Sequence, residues 1–333
     1  MLEPAGLLPQ AAERLDTTMH IGPDETLVRL EYLSLDAASF RQMFDMHQGD
    51  GQKIRAEVLE IIRRRGKMQN PITGSGGMFL GVVENSGPEA GHGLGPGDRI
   101  ASLVSLTLTP LVIDDDLDRW DGLSPQVPAS GYAILFSSAS FAIVPEDLTP
   151  SLVVSVLDVC GAPSLTSRVV SEFAHRWNRP VVAVIGASGR SGSLSAFAAK
   201  RAGASRVIGV VPDIREATVL AELRVADAIF VADARQPMAV VDVLGEQVDI
   251  TVVCVDVPGC EHSAILATAS GGTIIYFSMA TSFQAAALGA EGVGADVTMI
   301  IGAGFVPGHS DLALDLVREE SRLQEHMMRK RDG

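Results

Sequence analysis

The chain has 333 residues, of which 47% are apolar and 20% charged, and its formal net charge at pH 7 is −15. This length predicts about two domains, and the composition excludes a disordered chain. The acidic charge argues against nucleic acid or an anionic membrane as a partner. The three cysteines form no C-x-x-C pair, which favours a reducing compartment. Neither a secretory leader nor an apolar run near the roughly 18 residues of a membrane span is visible, so we expect a cytoplasmic globular protein.

Residues 1–149 are expected to form a β-rich domain, because short apolar stretches alternate there with glycine turns. The amphipathic pattern of residues 51–65 predicts a helix whose arginines lie near its C-terminus, where they suit the helix dipole. Four aspartates within residues 111–120 are interpreted as an exposed loop, since no second cluster of metal ligands accompanies them. The expected strands of this domain are 26–33 and 79–84. The segment 93–104 is expected to add a turn followed by a third strand.

Residues 150–305 alternate apolar strands with helices, the order of a doubly wound parallel sheet. Residues 306–333 are expected to add a C-terminal helix, with an apolar stripe within 310–329. The expected strands are 181–185, 206–211, 228–231, 249–255, 273–277 and 297–301. The expected helices are one from Pro150 that contains Asp158 and Cys160, and those at 165–177, 193–202, 214–223, 237–244 and 261–269.

A glycine turn at residues 186–192 stands between the first of these strands and the helix that follows it. In a dinucleotide fold such glycines permit the tight turn, the approach of the backbone to a pyrophosphate, and close packing of helix on strand. The amides that open the helix would face the anion. The alternative is a purely structural turn. The residues expected to bind the cofactor here are Gly186, Ser188, Gly189, Arg190, Ser191 and Gly192.

The cofactor preference is less clearly marked in the sequence. Val211 holds the strand-end position where an acidic residue usually accepts a hydrogen bond from the adenosine ribose. Asp213 could replace that acid and would repel a 2′-phosphate, whereas Arg215 could attract one. We therefore expect NAD, with NADP as the alternative. Val255 and Ser278 follow later strands, and their position at the carboxyl ends predicts contact with the cofactor.

The chain resembles the medium-chain dehydrogenase/reductase superfamily in three features: the β-rich first domain, the glycine turn, and the segment GVVENSGPEAGHGLGPGDRI at 81–100. The resemblance implies a GroES-like N-terminal domain followed by a Rossmann domain. Zinc-dependent members have a cysteine and a His-Glu pair where this chain has Asp36 and Gly77-Met78, which implies a zinc-free member. A residual metal site at Cys254 with 260–262 is the less favoured alternative, because a buried thiol in an apolar strand is ordinary.

Four longer strings narrow the resemblance. EPAGLLPQ at 3–10, LSLDAASF at 33–40, NPITGSGGMFLG at 70–81 and LDVCGAP at 157–163 are similar to L-erythro-3,5-diaminohexanoate dehydrogenases. Membership of that family implies oxidative deamination: the C3 amine leaves as ammonia, a hydride passes to the nicotinamide, and (S)-5-amino-3-oxohexanoate forms in lysine fermentation.

This chemistry needs a base, because hydride leaves carbon only when the adjacent nitrogen is a neutral amine. Asp36 and Asp158 are the catalytic candidates, since each is an acid among apolar or small neighbours, where a carboxyl pKa rises. The structural alternatives are a loop cap for Asp36 and a helix acid satisfied by the backbone or an arginine for Asp158.

The substrate carboxylate has two candidate binding regions. The turn that contains Thr73, Gly74 and Ser75 offers amides and hydroxyls, although a structural glycine turn is the alternative. Lys67 is a second candidate for the carboxylate. Met78, directly after the turn, is expected to contact the substrate.

Three functions remain open from the sequence. The first is the amino-acid dehydrogenase, with a small-molecule substrate. A zinc-free quinone or enoyl reductase would share the fold and the glycine turn, and a nucleotide-binding redox sensor would need no catalysis. In each case the apolar strand 297–301 predicts a homodimer, because the unpaired edge of a sheet must be covered or paired.

Overall fold

The computed structural model describes residues 6–278, 280–302 and 305–329. Two compact units divide the chain, Met1–Val154 and Ser155–Gly333, which we call the N-terminal and C-terminal units. The division falls inside helix α3 (Pro150–Leu157), and the expected boundary at residue 149 immediately precedes that helix.

The N-terminal unit is built on one antiparallel sheet. In spatial order its strands run β4-β6-β1-β2-β3-β7, and β5 pairs with β1. The long β1 is central because it pairs with three other strands and buries most of its side chains. The strands are β1 (Glu25–Leu35), β2 (Gly77–Ser86), β3 (Arg99–Ser102), β4 (Leu111–Ile113), β5 (Gln126–Pro128), β6 (Gly131–Phe136) and β7 (Phe141–Ile143).

Two helices accompany this sheet, α1 (Ala37–Met46) and α2 (Gly51–Arg65). The bounds of α2 confirm the sequence prediction. Asp50 caps its N-terminus by accepting from the amides of Gln52 and Lys53, and Gly66 ends it in the left-handed conformation. Helix α2 buries its apolar stripe in the core that lies under β1 and β2.

The C-terminal unit contains a parallel sheet in the order β10-β9-β8-β11-β12-β13. This is the doubly wound order that the alternating pattern predicts, because successive strands are added outward on one side of β8 and then on the other. The strands are β8 (Val181–Ile185), β9 (Arg206–Val211), β10 (Ala228–Val231), β11 (Val248–Val253), β12 (Thr268–Tyr276) and β13 (Thr298–Ile301). The helices are α4 (Gly161–Arg176), α5 (Arg190–Arg201), α6 (Ile214–Leu223), α7 (Pro237–Leu244), α8 (Glu261–Ala267), α9 (Phe283–Val293), α10 (His309–Glu319) and α11 (Ser321–Met328).

Several boundaries differ from expectation. The expected single C-terminal helix is broken at Glu320, whose carboxylate accepts from the amide and guanidinium of Arg322 and so caps α11. Leu111–Ile113 was expected in a loop but pairs with β6. Helices α1 and α9 were not expected.

Asp158 was expected within a helix and instead lies in the turn between α3 and α4. Pro163 explains the break, because its ring in a continuous helix would meet the carbonyl of Val159. Among the described residues no single helix has the length and apolarity of a membrane span, and only α3 and α4 together, bent by 53°, meet those criteria.

Candidate active site

The glycine turn of the C-terminal unit requires glycine where β8 ends. Gly186 has φ of +80°, and a Cβ there would lie 2.7 Å from Val255 Cγ1 and 2.8 Å from the carbonyl oxygen of Cys254. The amide of Cys254 in turn donates to the carbonyl of Ile185 at 2.9 Å. The backbone after β8 therefore passes against the backbone after β11, which brings Val255 to the turn.

The other two glycines shape the start of α5. A Cβ on Gly192 would overlap the carbonyl oxygen of Gly186, so only glycine lets the helix start this close to the strand. Gly189 is the N-cap residue, with φ of −69°, and provides no side-chain hydrogen bond to the first turn. A helix N-terminus capped in this way suits an anion. The turn thus fits the pyrophosphate of a dinucleotide, with Ser188 buried within it.

The end of β9 differs from an ordinary ribose site. Val211 is buried and its side chain cannot accept a hydrogen bond from a ribose hydroxyl. Asp213 is exposed and caps α6, because its Oδ1 accepts from the amide of Glu216 at 2.9 Å. Arg215 is exposed in the first turn of the same helix. Both charged candidates therefore lie just past the strand end.

Cys254 follows β11 and Ser278 follows β12, and each side chain contacts a polar group of another residue. The Cys254 thiol lies 4.0 Å from the Ser195 hydroxyl, and burial raises its pKa to about 11, although Ser191 and Ser195 oppose this shift. The Ser278 hydroxyl accepts from the amide of Ala280 at 3.1 Å.

Within the described part of the chain, no three His, Cys, Asp or Glu side chains are grouped as ligands for a metal ion.

In the N-terminal unit, Asp36 is the cap of α1 and the first member of a polar cluster. Its Oδ1 accepts from the amide of Ser39 at 2.9 Å and from the hydroxyl of Ser75 at 2.8 Å. Its Oδ2 is buried, and no hydrogen-bonding group of the described residues reaches it. Asp36 thus caps α1 through Oδ1, as the loop-cap alternative predicts, while Oδ2 takes no part in the cap.

Three hydroxyls adjoin this carboxylate, and we call them the hydroxyl ring: Ser39, Thr73 and Ser75. Each pair of them is separated by 2.8 Å between the oxygens. The sequence analysis named Thr73 and Ser75 but missed Ser39, which is fully buried. The available signal was the spacing, since an N-cap aspartate accepts from the amide three residues later.

The amides of the turn at residues 70–75 do not form the expected carboxylate cradle. Asn70 Oδ1 accepts from the amides of Ile72 and Thr73 at 2.8 and 3.3 Å, and the Asn70 carbonyl accepts from the amide of Gly74 at 2.8 Å. An asparagine that closes a turn in this way consumes the donors that a substrate would need. The groups of the turn that could contact a substrate are therefore its hydroxyls, and not its amides.

Lys67 is not positioned as expected for a substrate carboxylate. Its side chain is fully buried, and Nζ donates to the carbonyls of Pro9 and Gln10 at 2.8 and 3.1 Å. Burial lowers the pKa of this ammonium to about 8, and Arg65 contributes to the shift. Lys67 therefore holds the chain's own backbone. Met78 is buried in β2, opposite Ser34 of β1.

Asp158 was expected among apolar or small neighbours, and the structure places it in the turn before α4, where it is exposed. The neighbouring Cys160 is buried, and burial together with the charge of Asp158 raises the pKa of its thiol to about 12. The structure brings together Asp36, Thr73 and Ser75, while Asp158 lies in the other unit.

Comparison with known proteins defines the relatives of this chain. A sequence profile of the L-erythro-3,5-diaminohexanoate dehydrogenase N-terminal domain matches residues 1–145. A protein of that name from Acetoanaerobium sticklandii is 42% identical over 96% of this chain and 93% of its own length. The chain belongs to the L-erythro-3,5-diaminohexanoate dehydrogenase family. A second member, from Fusobacterium nucleatum, is 41% identical over 98% of this chain and 95% of its own length.

Two solved structures share the fold of this chain. The mycobacterial protein Rv1454c, complexed with NADPH, has a TM-score of 0.57 at 17% identity and covers 96% of this chain and 91% of its own. Galactitol-1-phosphate dehydrogenase from Escherichia coli has a TM-score of 0.54 at 15% identity, covering 95% and 86%. The expected α/β class, a β-rich N-terminal unit before a Rossmann sheet, is confirmed.

Proposed function

We propose that the protein catalyses the oxidative deamination of L-erythro-3,5-diaminohexanoate to (S)-5-amino-3-oxohexanoate and ammonia. The observation that carries this proposal is the relationship to dehydrogenases of that name at 42% identity across 96% of the chain. The glycine turn supports it, because its contacts suit a dinucleotide. When bound, the nicotinamide supplies the hydride acceptor.

The chain's own part begins with the ammonium group at C3. This group must lose a proton before hydride can leave the carbon, and a water that later attacks the iminium must lose one as well. We assign both tasks to Asp36, whose Oδ1 is held by Ser39 and Ser75 and which must pass the first proton to solvent before it takes the second. A carboxylate fixed by two donors keeps one orientation, which places the proton acceptor in advance of the reaction.

For the cofactor we propose NAD in preference to NADP. The support is the exposed Asp213 carboxylate beyond β9, whose Oδ1 accepts from the amide of Glu216. Its second oxygen suits a ribose hydroxyl and its charge opposes a 2′-phosphate. Replacing Asp213 with serine should retain the cap of α6, weaken NAD binding, and improve NADP relative to NAD with Arg215 as the attracting charge.

We further propose a homodimer joined through β13, in a cytoplasmic protein. The support for the dimer is the position of β13 at the edge of the sheet, together with the apolar Ile301, which is 63% exposed. The support for the compartment is that all three cysteines are unpaired.

The test is an absorbance assay for reduced nicotinamide with NAD and NADP against 3,5-diaminohexanoate, other β-amino acids, enones and quinones. We expect turnover of 3,5-diaminohexanoate with release of one ammonia for each hydride transferred. Turnover of enones or quinones without turnover of any amine would instead identify a reductase. Dinucleotide binding without turnover of any of these compounds would indicate a sensor.

A further inference from the structure

The hydroxyl ring and Asp36 have more contacts than protons. Four oxygen–oxygen contacts of 2.8 Å join Ser39, Thr73, Ser75 and Asp36 Oδ1. Each hydroxyl carries a single proton, so an ionised Asp36 leaves three protons for these four contacts. One additional proton on Asp36 would supply a hydrogen for every contact. The cluster is therefore built to accept one proton.

A proton cannot reach Asp36 directly through the described residues. Ser39 and Ser75 already occupy Oδ1, and Oδ2 is buried. Ser39 is itself fully buried, whereas Thr73 and Ser75 retain partial exposure. The accessible end of the cluster is thus the pair of hydroxyls on the turn, and its enclosed end is the carboxylate.

We propose that Thr73 and Ser75 form a proton relay between the substrate amine and Asp36, with Ser39 as the positioning residue that closes the ring. This inference rests on the proposed function, since the amine is the proton donor. Thr73 touches the substrate and Asp36 stores the proton. Such a relay lets a buried carboxylate act as the base for a group that it does not contact.

One substrate molecule and three side chains, Thr73, Ser75 and Asp36, exchange protons in this step. The ammonium N–H bond breaks and its proton binds to the Thr73 oxygen, as Thr73 passes its own proton to Ser75. Ser75 passes its proton to Asp36 Oδ1 in the same chain of transfers. The substrate ends as a neutral amine, Asp36 as a carboxylic acid, and each hydroxyl again has one proton. No oxidant is needed for this step.

The experiment compares Thr73→Val with Thr73→Ser. Valine keeps the shape of threonine but removes the hydroxyl, and serine keeps the hydroxyl but removes the methyl. We expect Thr73→Val to lower kcat/KM on 3,5-diaminohexanoate by about 10² to 10⁴, while Thr73→Ser retains most of the activity. Ser86→Ala is the control, because it removes a similar 2.8 Å hydroxyl contact, to Thr26, outside the cluster.

The pH profile separates a relay from a structural role. Without the relay, solvent must take the proton, so the rate of Thr73→Val should continue to rise with pH where the wild type has reached its plateau. A small added base should partly restore the rate of Thr73→Val and leave Ser86→Ala unaffected. A wild-type profile and rate in folded Thr73→Val would overturn the relay. A wild type that does not oxidise the diamine at all would instead overturn the proposed function.

Discussion

The carbonyl oxygen of Ser34 occupies the space in which a side chain on Gly77 would begin. Gly77 has φ of +115° and pairs with Leu35 of β1, and a Cβ there would also lie 3.0 Å from the amide nitrogen of Asp36. The absence of a side chain at position 77 is thus what lets β2 start beside the cap of α1. This close approach fixes the backbone from which the candidate base projects.

The first prediction tests this approach. Gly77→Ala should prevent stable folding of the N-terminal unit, because the new Cβ meets backbone that cannot move aside. Gly74→Ala is the matched control, since its φ is also positive at +73° but a Cβ there meets nothing within 4 Å. That control should lose only about 1–2 kcal/mol for the left-handed conformation. Urea unfolding measures both, and equal losses would contradict the steric explanation.

The second prediction concerns the dinucleotide. Gly189→Val should abolish NADH binding in a fluorescence titration, because side-chain atoms would enter the path of the pyrophosphate. Its φ of −69° suits any residue, so we expect the melting temperature to change little. Gly292→Ala, where a Cβ meets nothing within 4 Å, should bind NADH normally. Unchanged affinity in folded Gly189→Val would refute the assignment of the turn.

The third prediction separates the two acidic candidates. Asp36→Asn keeps the shape of the side chain but removes the proton acceptor, so kcat/KM should fall by about 10² to 10⁴. Asp158→Asn should have a much smaller effect, because Asp158 is exposed in the turn before α4. Melting temperatures measured alongside show whether either loss is structural. A larger kinetic loss for Asp158→Asn would move the base to that residue.

The fourth prediction is a pH dependence of stability due to Lys67. Burial lowers the pKa of Lys67 from 10.5 to about 8, so between these values the unfolded chain binds more protons than the folded chain. The free energy of unfolding should therefore rise with pH across that window, and this contribution is lost as pH falls towards 8. Urea midpoints at the two ends of the window measure it.

Two variants isolate the contribution of Lys67. Lys67→Met should be less stable overall, since two carbonyls lose their donor, and should lack this part of the rise with pH. Lys53→Met removes a lysine whose side chain is 66% exposed and should keep the full rise. Identical pH dependence in both variants would show that the Lys67 ammonium is not the cause.

The fifth prediction concerns the edge strand β13. Light scattering at micromolar concentration should give the mass of a dimer, and Ile301→Arg should give a monomer with unchanged secondary structure. Ile143→Arg alters a comparably exposed residue on β7, at the edge of the other sheet, and should remain dimeric. A monomeric wild type would contradict the proposal, and dissociation by Ile143→Arg alone would assign the interface to β7.

The sequence predicts those elements that carry their own signals. Helix α2 has a capping aspartate, a regular apolar stripe and a terminal glycine, and its bounds agree with the prediction. Helix α9 contains Gly289 and Gly292, which lower its helical propensity. Its packing against α8 depends on Gly289, because a Cβ there would lie 2.9 Å from His262 Nε2. No local pattern encodes such a contact.

The candidate site likewise has one part that the sequence predicts and other parts that it does not. The glycine turn is recognisable because strand, turn and helix are adjacent in sequence. The hydroxyl ring joins Ser39 to residues 34 and 36 positions away, and its geometry depends on how β1 and β2 pair. Lys67 was misjudged because its partners, the carbonyls of Pro9 and Gln10, are backbone atoms that a sequence does not distinguish from any others.

The hydrogen bonds that hold residues 9–15 determine when this segment can dock during synthesis of the chain. Lys67 holds the carbonyl of Pro9 across 58 positions, and Arg65 accepts from the Leu15 amide through its carbonyl. At translation rates of about 5–20 residues per second, that separation is a delay of several seconds. During this delay the segment has been synthesised but its partners have not. It therefore docks only after α2 has emerged, although it leaves the ribosome first.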